Sequence, residues 1–423
     1  MADARSLDAE VIVVGAGPAG LSAATALRRG GAGRVVVLDR EPEPGGIPRH
    51  CGHPPYGLRE FGRVMTGPAY ARRVVAEARA AGVDIRCATS VVSVETGGRL
   101  TVTSDAGVET LAARLILLST GVRERPRAAR LLGGTKPGGV MSTGTLQGLV
   151  YLEGRTPFER PVVLGTELVA FSALLTCRHA GIRPAAMIEP GPATVSRWPS
   201  GWLPRLMGVP LRLDTRLTRI EGRDAVEAVV VEGPGGEDRI ATDGVIVSGE
   251  FLPEATLVRG SHLAFDRRSG GPRVDQWGRT SDPVVFAAGN VLRPVETAGW
   301  SWREGRAIAR AMLRALDGGL PDPAGLRDIE IAGDVLRFVV PQRVGPGTVA
   351  PALPQLQMRV REAVRGRLVL TDAAGEVVSR AGIGARPERR VRMPLPALEG
   401  AADGPLTLRL ERTVPSSRAE TVR

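Results

Sequence analysis

Two stretches of the chain share one pattern of apolar and polar positions. In EVIVVGAGPAGLSAATALRRGGAGRVVVLD (10–39) a short apolar run ends at a glycine turn and gives way to apolar residues at helical spacing. A glycine loop then leads to a second apolar run that stops at an acid. RPVVLGTELVAFSALLTCRHAGIRPAAMIE (160–189) repeats the pattern. Unbroken apolar runs bounded by turns suit strands buried in a parallel sheet. The glycine-to-acid interval is 24 residues in both, Gly15 to Asp39 and Gly165 to Glu189.

Between these units, PAYARRVVAEARAAG reads as a helix and VVSVETGGRLTVTSDAG alternates like a hairpin. After Gly271, PVVFAAGN is a further buried strand and REGRAIARAMLRALDGG a helix beginning near Glu304, with Trp300 and Trp302 ahead of it. Pro321 and Pro323 mark a linker. Beyond it, VLRFVVPQRV, LQMRVREAV, GRLVLTD, RRVRMPL and PLTLRLERT alternate with period two, as a small sandwich would. The expected fold class is α/β, with two Rossmann-like dinucleotide-binding domains. The first (8–155 and 272–318) is split by the second (156–271), and an all-β domain spans 326–415. The last residues, VPSSRAETVR, are expected to fray.

Composition narrows the setting. No apolar run reaches the roughly 18 residues that span a bilayer. The N-terminus lacks the apolar core of a secretory leader, so a cytoplasmic protein is expected. Three scattered cysteines among 423 residues do not make a disulfide framework, nor the four ligands an iron–sulfur cluster usually needs. The net charge is +11, yet Lys136 is the only lysine and the arginines are interleaved with acids. That scatter argues against nucleic acid as a partner.

VIVVGAGPAG contains G-x-G-x-x-G as Gly15, Gly17 and Gly20. The first glycine allows the tight turn, the second lets backbone approach a pyrophosphate, and the third lets helix and strand pack closely. Pro18 and Ala19 open the helix, whose N-terminus favours a diphosphate. Asp39, with Arg40 after it, stands where adenosine ribose hydroxyls would be bound. In the second unit Glu167 occupies the place of the second glycine. Two like charges about 4 Å apart repel by roughly 4 kcal/mol at an effective dielectric near 20, so NAD(P) is the weaker expectation there, although Glu189 keeps the position of a ribose acid.

RLILLSTGVRERPR, ending its strand at Ser119–Thr120–Gly121, and DPVVFAAGNV, ending at Gly289–Asn290, complete a set that resembles the glutathione-reductase type of two-dinucleotide-domain flavoproteins over residues 8–315. The resemblance implies FAD, with Gly46, Val91, Thr120, Gly121, Gly289 and Asn290 joining the first glycine turn as its binding residues. Asn290 replaces the usual aspartate, and an amide still bonds a ribityl hydroxyl. PGGIPRHCGHPPYGLREFGRVMTGPAYARR, KPGGVMSTGTLQGLV and ETAGWSWREGRAIAR are similar to the FAD subunits of opine oxidases, hydrogen cyanide synthase and (hydroxy)proline dehydrogenases.

That narrower resemblance implies oxidation of the C–N bond of a small amine or amino acid, with a separate redox partner; it allows a membrane-associated assembly, although no membrane span is expected in the chain itself. The loop after the ribose acid would bring Arg49, His50, Cys51 and His53 to the flavin: Arg49 to hold a substrate carboxylate, the histidines to handle the amine proton. Cys51 has no partner at C-x₄-C spacing, so disulfide redox chemistry is not expected. Trp300 and Trp302 would wall the pocket. No metal is expected. Two other readings stay open, an NAD(P)H-dependent flavoprotein reductase and a flavin-bearing component that works only with a partner.

Overall fold

The computed structural model describes residues 7–196, 200–347, 349–387 and 389–413. The β-branched run AEVIVV forms β1 (Ala9–Val14), with Val11, Ile12 and Val13 fully buried. It leads through the glycine turn into α1 (Pro18–Arg29), then β2 (Val35–Leu38). The predicted helix is α2 (Gly67–Ala80), followed by β3 (Asp84–Arg86). The predicted hairpin is β4 (Ser90–Glu95) and β5 (Arg99–Ser104), turned by Gly97 and Gly98 at positive φ and continued into β6 (Gly107–Leu118).

The second pattern opens after the short strand Val140–Ser142 and α3 (Thr143–Tyr151). It comprises β7 (Val162–Leu164), α4 (Leu168–His179) and β8 (Ala186–Ile188), with β9 (Val245–Val247) completing the core of that sheet. All its strands run parallel, in the order Leu211–Arg212, β8, β7, β9, Val140–Ser142. The chain then returns to the first sheet. β10 (Val285–Ala287) pairs in parallel with the end of β6, Val285 beside Ile116 and Ala287 beside Leu118, giving the parallel order β3, β2, β1, β6, β10.

α5 (Ala298–Leu316) starts six residues before the expected Glu304, with Thr297 as its cap, so Trp300 and Trp302 lie inside the helix. Its inner face, Ser301, Gly305, Ile308 and Met312, packs on α1 at very close range. A Cβ at Gly305 would collide with the carbonyl of Ala19, and one at Gly289 would come within 2.8 Å of the Ala19 methyl.

The tail forms a five-stranded and a three-stranded sheet around Leu336, Leu356, Met358, Leu368, Leu406 and Leu408. Two strands escaped the sequence pattern. Arg327–Ile331 is short and mostly polar, and Val377–Ala385 lies at a sheet edge where two of the outward positions, Gly382 and Gly384, are glycines, so no polar side chain there marks the alternation. The segment expected to fray, from Val414, lies outside the described residues.

Candidate functional site

The first glycine turn is built to receive something. Gly15 has φ +107°, and a Cβ there would sit 2.5 Å from the Ser119 carbonyl oxygen. The Ser119 hydroxyl donates within 3.0 Å to the carbonyls of Val14 and Gly15, and a Cβ at Gly20 would collide with the Gly15 oxygen. Gly17 differs: nothing lies within 4 Å of where its Cβ would stand, and no side chain caps α1. Its first-turn N–H groups and positive dipole end face that open space, which suits a diphosphate.

Asp39 fixes the rim. One carboxylate oxygen accepts from Ala16 N at 2.6 Å and the other from Glu41 N at 2.9 Å, while burial pushes its pKa up from 3.8. Each oxygen keeps acceptor capacity for a ribose hydroxyl. Thr89 N donates to the Asp39 carbonyl, drawing the start of β4, and with it Val91, to the same rim. Gly45 N donates to Ala16 O, and Gly46 lies against Gly17 so closely that a Cβ would come within 2.8 Å of the Gly17 Cα. The Arg40 side chain is exposed and paired loosely with Glu41. Gly121, at φ +78°, is open. The Thr120 hydroxyl is spent on Glu254 O at 2.6 Å.

Asn290 braces its own loop. Its amide nitrogen donates to Glu296 O at 3.0 Å and its amide oxygen accepts from Glu296 N at 2.8 Å, closing the loop 290–296. Each end of the amide makes one bond within the chain and keeps capacity for one more.

The second glycine turn is filled by its own side chain. Glu167 caps α4, one carboxyl oxygen accepting from Ala170 N at 3.1 Å and from the Ser248 hydroxyl. The carboxyl lies 2.6 Å from where a Cβ on Gly165 would be and 2.8 Å from one on Gly249. Burial pushes its pKa up to about 7. Glu189 is braced much as Asp39 is, accepting from the Thr166 hydroxyl at 2.5 Å and from Gly191 N at 3.1 Å, so the difference between the two turns lies at Glu167.

A buried polar cluster lies where the loop after Asp39 meets α3 and α4. Cys51 donates its thiol to Gln147 Oε1 at 3.3 Å and is hydrogen-bonded to the Tyr56 hydroxyl. Gln147 Nε2 donates to Ser172 Oγ at 2.6 Å, and the same Ser172 oxygen bonds His53 Nε2. Burial raises the Cys51 thiol to about 11, so it stays protonated. His50 is hydrogen-bonded to Gln147; burial, with the Arg49 charge second, lowers its pKa from 6.5.

Three buried polar atoms of this cluster have no hydrogen-bond partner: His50 Nδ1, Thr143 Oγ1 and Glu124 Oε1. Thr143 and Gln147 are four residues apart and share a face of α3. Glu124 reaches the start of that helix, its other oxygen accepting from Gly144 N at 2.7 Å. Burial raises the Glu124 carboxyl above 4.5. Such atoms normally find partners, so the three mark space for a polar ligand.

The structure gathers His50, Cys51 and His53 in one polar cluster with Glu124, Thr143, Gln147 and Ser172. The sequence offered one signal for two of these: Gln147 and Ser172 are polar residues inside apolar helical runs, TLQGLV and AFSALL. Arg49 faces elsewhere. It pairs with Glu43 at 3.0 Å, and its charge bears on Cys87, which also senses Asp39.

The tryptophans do not join the cluster. They lie in a separate cavity of about 570 Å³ between α5 and the β tail, Trp300 under the Arg390 guanidinium at 3.9 Å and Trp302 edge-on to Phe61. The inner face of α5 is used up against α1, so these flanking residues turn outward.

Comparison with known proteins agrees with this anatomy. Residues 162–305 match the family described as pyridine nucleotide-disulphide oxidoreductase, and residues 13–74 an NAD(P)-binding Rossmann-like domain. The chain is 32% identical over 182 residues to an opine oxidase subunit of Rhizobium meliloti (strain 1021), covering 43% of this chain and 38% of that protein. It is 28% identical over 347 residues to the alpha subunit of sarcosine oxidase from the same organism, covering 74% of this chain and 31% of that one. It thus spans about a third of the length of these two relatives. Thioredoxin reductase of T. acidophilum superposes with a TM-score of 0.61 at 23% identity, over 73% of this chain and 98% of that one. Among the described residues no helix is long and apolar enough to cross a membrane.

Proposed function

We propose that this chain, a two-dinucleotide-domain flavoprotein of the pyridine-nucleotide-disulfide-oxidoreductase type related to the opine oxidase and sarcosine oxidase subunits, is an FAD-dependent oxidoreductase that oxidises the C–N bond of a small amine or amino acid. The contrast between the two glycine turns carries this reading. The first is uncapped, open at Gly17 and rimmed by Asp39; the second is plugged by Glu167.

Gly15, Gly17 and Gly20 with the first turn of α1 would hold the diphosphate, Asp39 the ribose, and Gly46, Val91 and Gly121 would line the way. Arg49, on the Asp39 side, fits the charge of the cofactor better than a substrate carboxylate. FAD bound there supplies a two-electron acceptor for the hydride leaving the carbon next to nitrogen. Glu124, with a free buried oxygen, would bind the substrate nitrogen as its ammonium. His50, kept neutral by burial, would take a proton from it through Nδ1. Thr143 and Gln147 would orient the substrate, and Cys51, as a protonated thiol, would serve as a donor rather than a nucleophile.

A redox partner that drains the electrons belongs to this reading, since both relatives are named as subunits. So does a cytoplasmic setting: the three cysteines are unpaired in the fold, as suits a reducing compartment. A second reading, an NAD(P)H-dependent reductase, is favoured by the family match over 162–305 and opposed by the filled turn within it.

Anaerobic mixing separates the two. Flavin absorbance bleached by one of a panel of amino acids, imino acids and secondary amines, and not by NADH or NADPH, is the expected result. Rapid bleaching by NADH or NADPH alone would reverse the order of the two readings.

A further inference from the structure

The cavity beside the tryptophans has a charge pattern that flavin chemistry does not use. Arg303, Arg306, Arg310 and Arg314 follow one another along the outer side of α5, and Arg390 and Arg392 face them from the β tail. From Arg303 to Arg314 the stripe is about 16 Å long at 1.5 Å per residue. The one acid lining the space is Glu304. Its carboxylate is already engaged by Arg293, at 2.6 Å, and by Gly289 N, at 2.8 Å.

Trp300 holds guanidinium groups in place, with Arg59, Arg303 and Arg390 at 5.3, 5.7 and 3.9 Å from its ring centre, and Arg306 lies 4.7 Å over Trp302. Among the described residues the side chains of Arg310 and Arg392 have no hydrogen-bond or ion-pair partner. Repulsion within the group is visible: beyond burial, Arg310 lowers the pKa of Arg306, and Arg392 that of Arg390. Arg390 is paired with Glu296 at 3.5 Å; the other five cations lining the concavity have no ion-pair partner among the described residues, and they need counter-charge.

We propose that this cavity binds an organic polyphosphate, such as the di- or triphosphate of a nucleotide. About 570 Å³ is within the usual range for small-molecule sites. Planar guanidinium groups held by aromatic faces suit bidentate phosphate contacts. An acidic protein segment is the competing occupant; the volume of about 570 Å³, sized for a small molecule, and the tryptophan-fixed arginines favour the smaller ligand.

The test is calorimetric titration of the full chain, saturated with FAD so that the first glycine turn is filled, with pyrophosphate, ADP, ATP and an oligoglutamate peptide. Saturable binding of pyrophosphate and the nucleotides is expected, weakening as NaCl rises. The double variant Arg310→Glu/Arg392→Glu should bind them at least about tenfold more weakly. Arg310→Gln/Arg392→Gln, the milder change, should weaken binding without altering the thermal midpoint or flavin content. No saturable binding by the unaltered chain, equal binding by both double variants, or saturation by oligoglutamate alone would overturn the proposal.

Discussion

Glu167 and Ser248 are hydrogen-bonded across the second glycine turn, closing from within a site of the kind that α1 leaves open. Replacing Glu167 by glycine removes the α4 side-chain cap, at a cost of roughly a few tenths of a kcal/mol, and clears the diphosphate approach beside Gly165 and Gly249. Glu167→Gly should therefore melt slightly lower and gain measurable flavin reduction by NADH. Stopped-flow absorbance would detect the gain, and no gain with the fold intact would mean that Glu189 and its loop close the site as well.

The same side chain makes stability depend on pH. Its folded pKa, about 7, lies above the ordinary 4.5, so the folded state holds the proton more tightly. That contribution is whole below pH 4.5 and is lost as pH rises through 7. Urea midpoints of the wild type should fall over this window relative to Glu167→Gln, which has nothing to titrate there. Parallel curves would contradict the buried carboxyl.

Gly17 and Gly20 should separate binding from folding. Gly17→Val adds bulk into open space at φ −83°, a conformation valine adopts freely. The chain should fold with a near-normal thermal midpoint and emerge nearly colourless. Gly20→Ala forces a Cβ into the Gly15 carbonyl and should lower stability outright. Circular dichroism melts and flavin-to-protein absorbance ratios report both.

Glu124→Gln should leave flavin content unchanged and raise KM for the amine at least tenfold, about 1.4 kcal/mol. Because burial raises the Glu124 carboxyl above 4.5 and lowers His50 below 6.5, kcat/KM should rise with pH through the interval between those two values. Cys51→Ser should keep activity within about tenfold, since the thiol is protonated near neutrality. A complete loss there would make sulfur chemistry part of the reaction.

The Arg293–Glu304 pair is buried on both sides, with a 2.6 Å contact. Glu304→Gln removes the charge facing the buried Arg293 guanidinium; breaking such pairs costs about 3–5 kcal/mol. Urea unfolding should show a loss of that size.

What the sequence disclosed is what local physics dictates. Gly15, Gly20 and Asp39 are set by a turn whose geometry needs only neighbouring residues, so their spacing announced them. The plug at Glu167 was legible for the same reason. That Asn290 also braces its own loop through Glu296, six residues away, is encoded by no motif. That Trp300 and Trp302 fall inside α5 was not legible, because the start of α5 is decided by packing of Ser301 and Gly305 on α1, not by their own periodicity. The convergence of His50, Thr143 and Glu124 is a tertiary fact across three separate segments.

The return of β10 to the edge of β6 has a consequence for biosynthesis. A ribosome releasing this chain in order must finish the entire inserted unit before the strand at 285–287 emerges to complete the first sheet, and α5 follows later still. Cofactor loading is then a late event, and nascent chains arrested before residue 285 should emerge unable to retain the coenzyme.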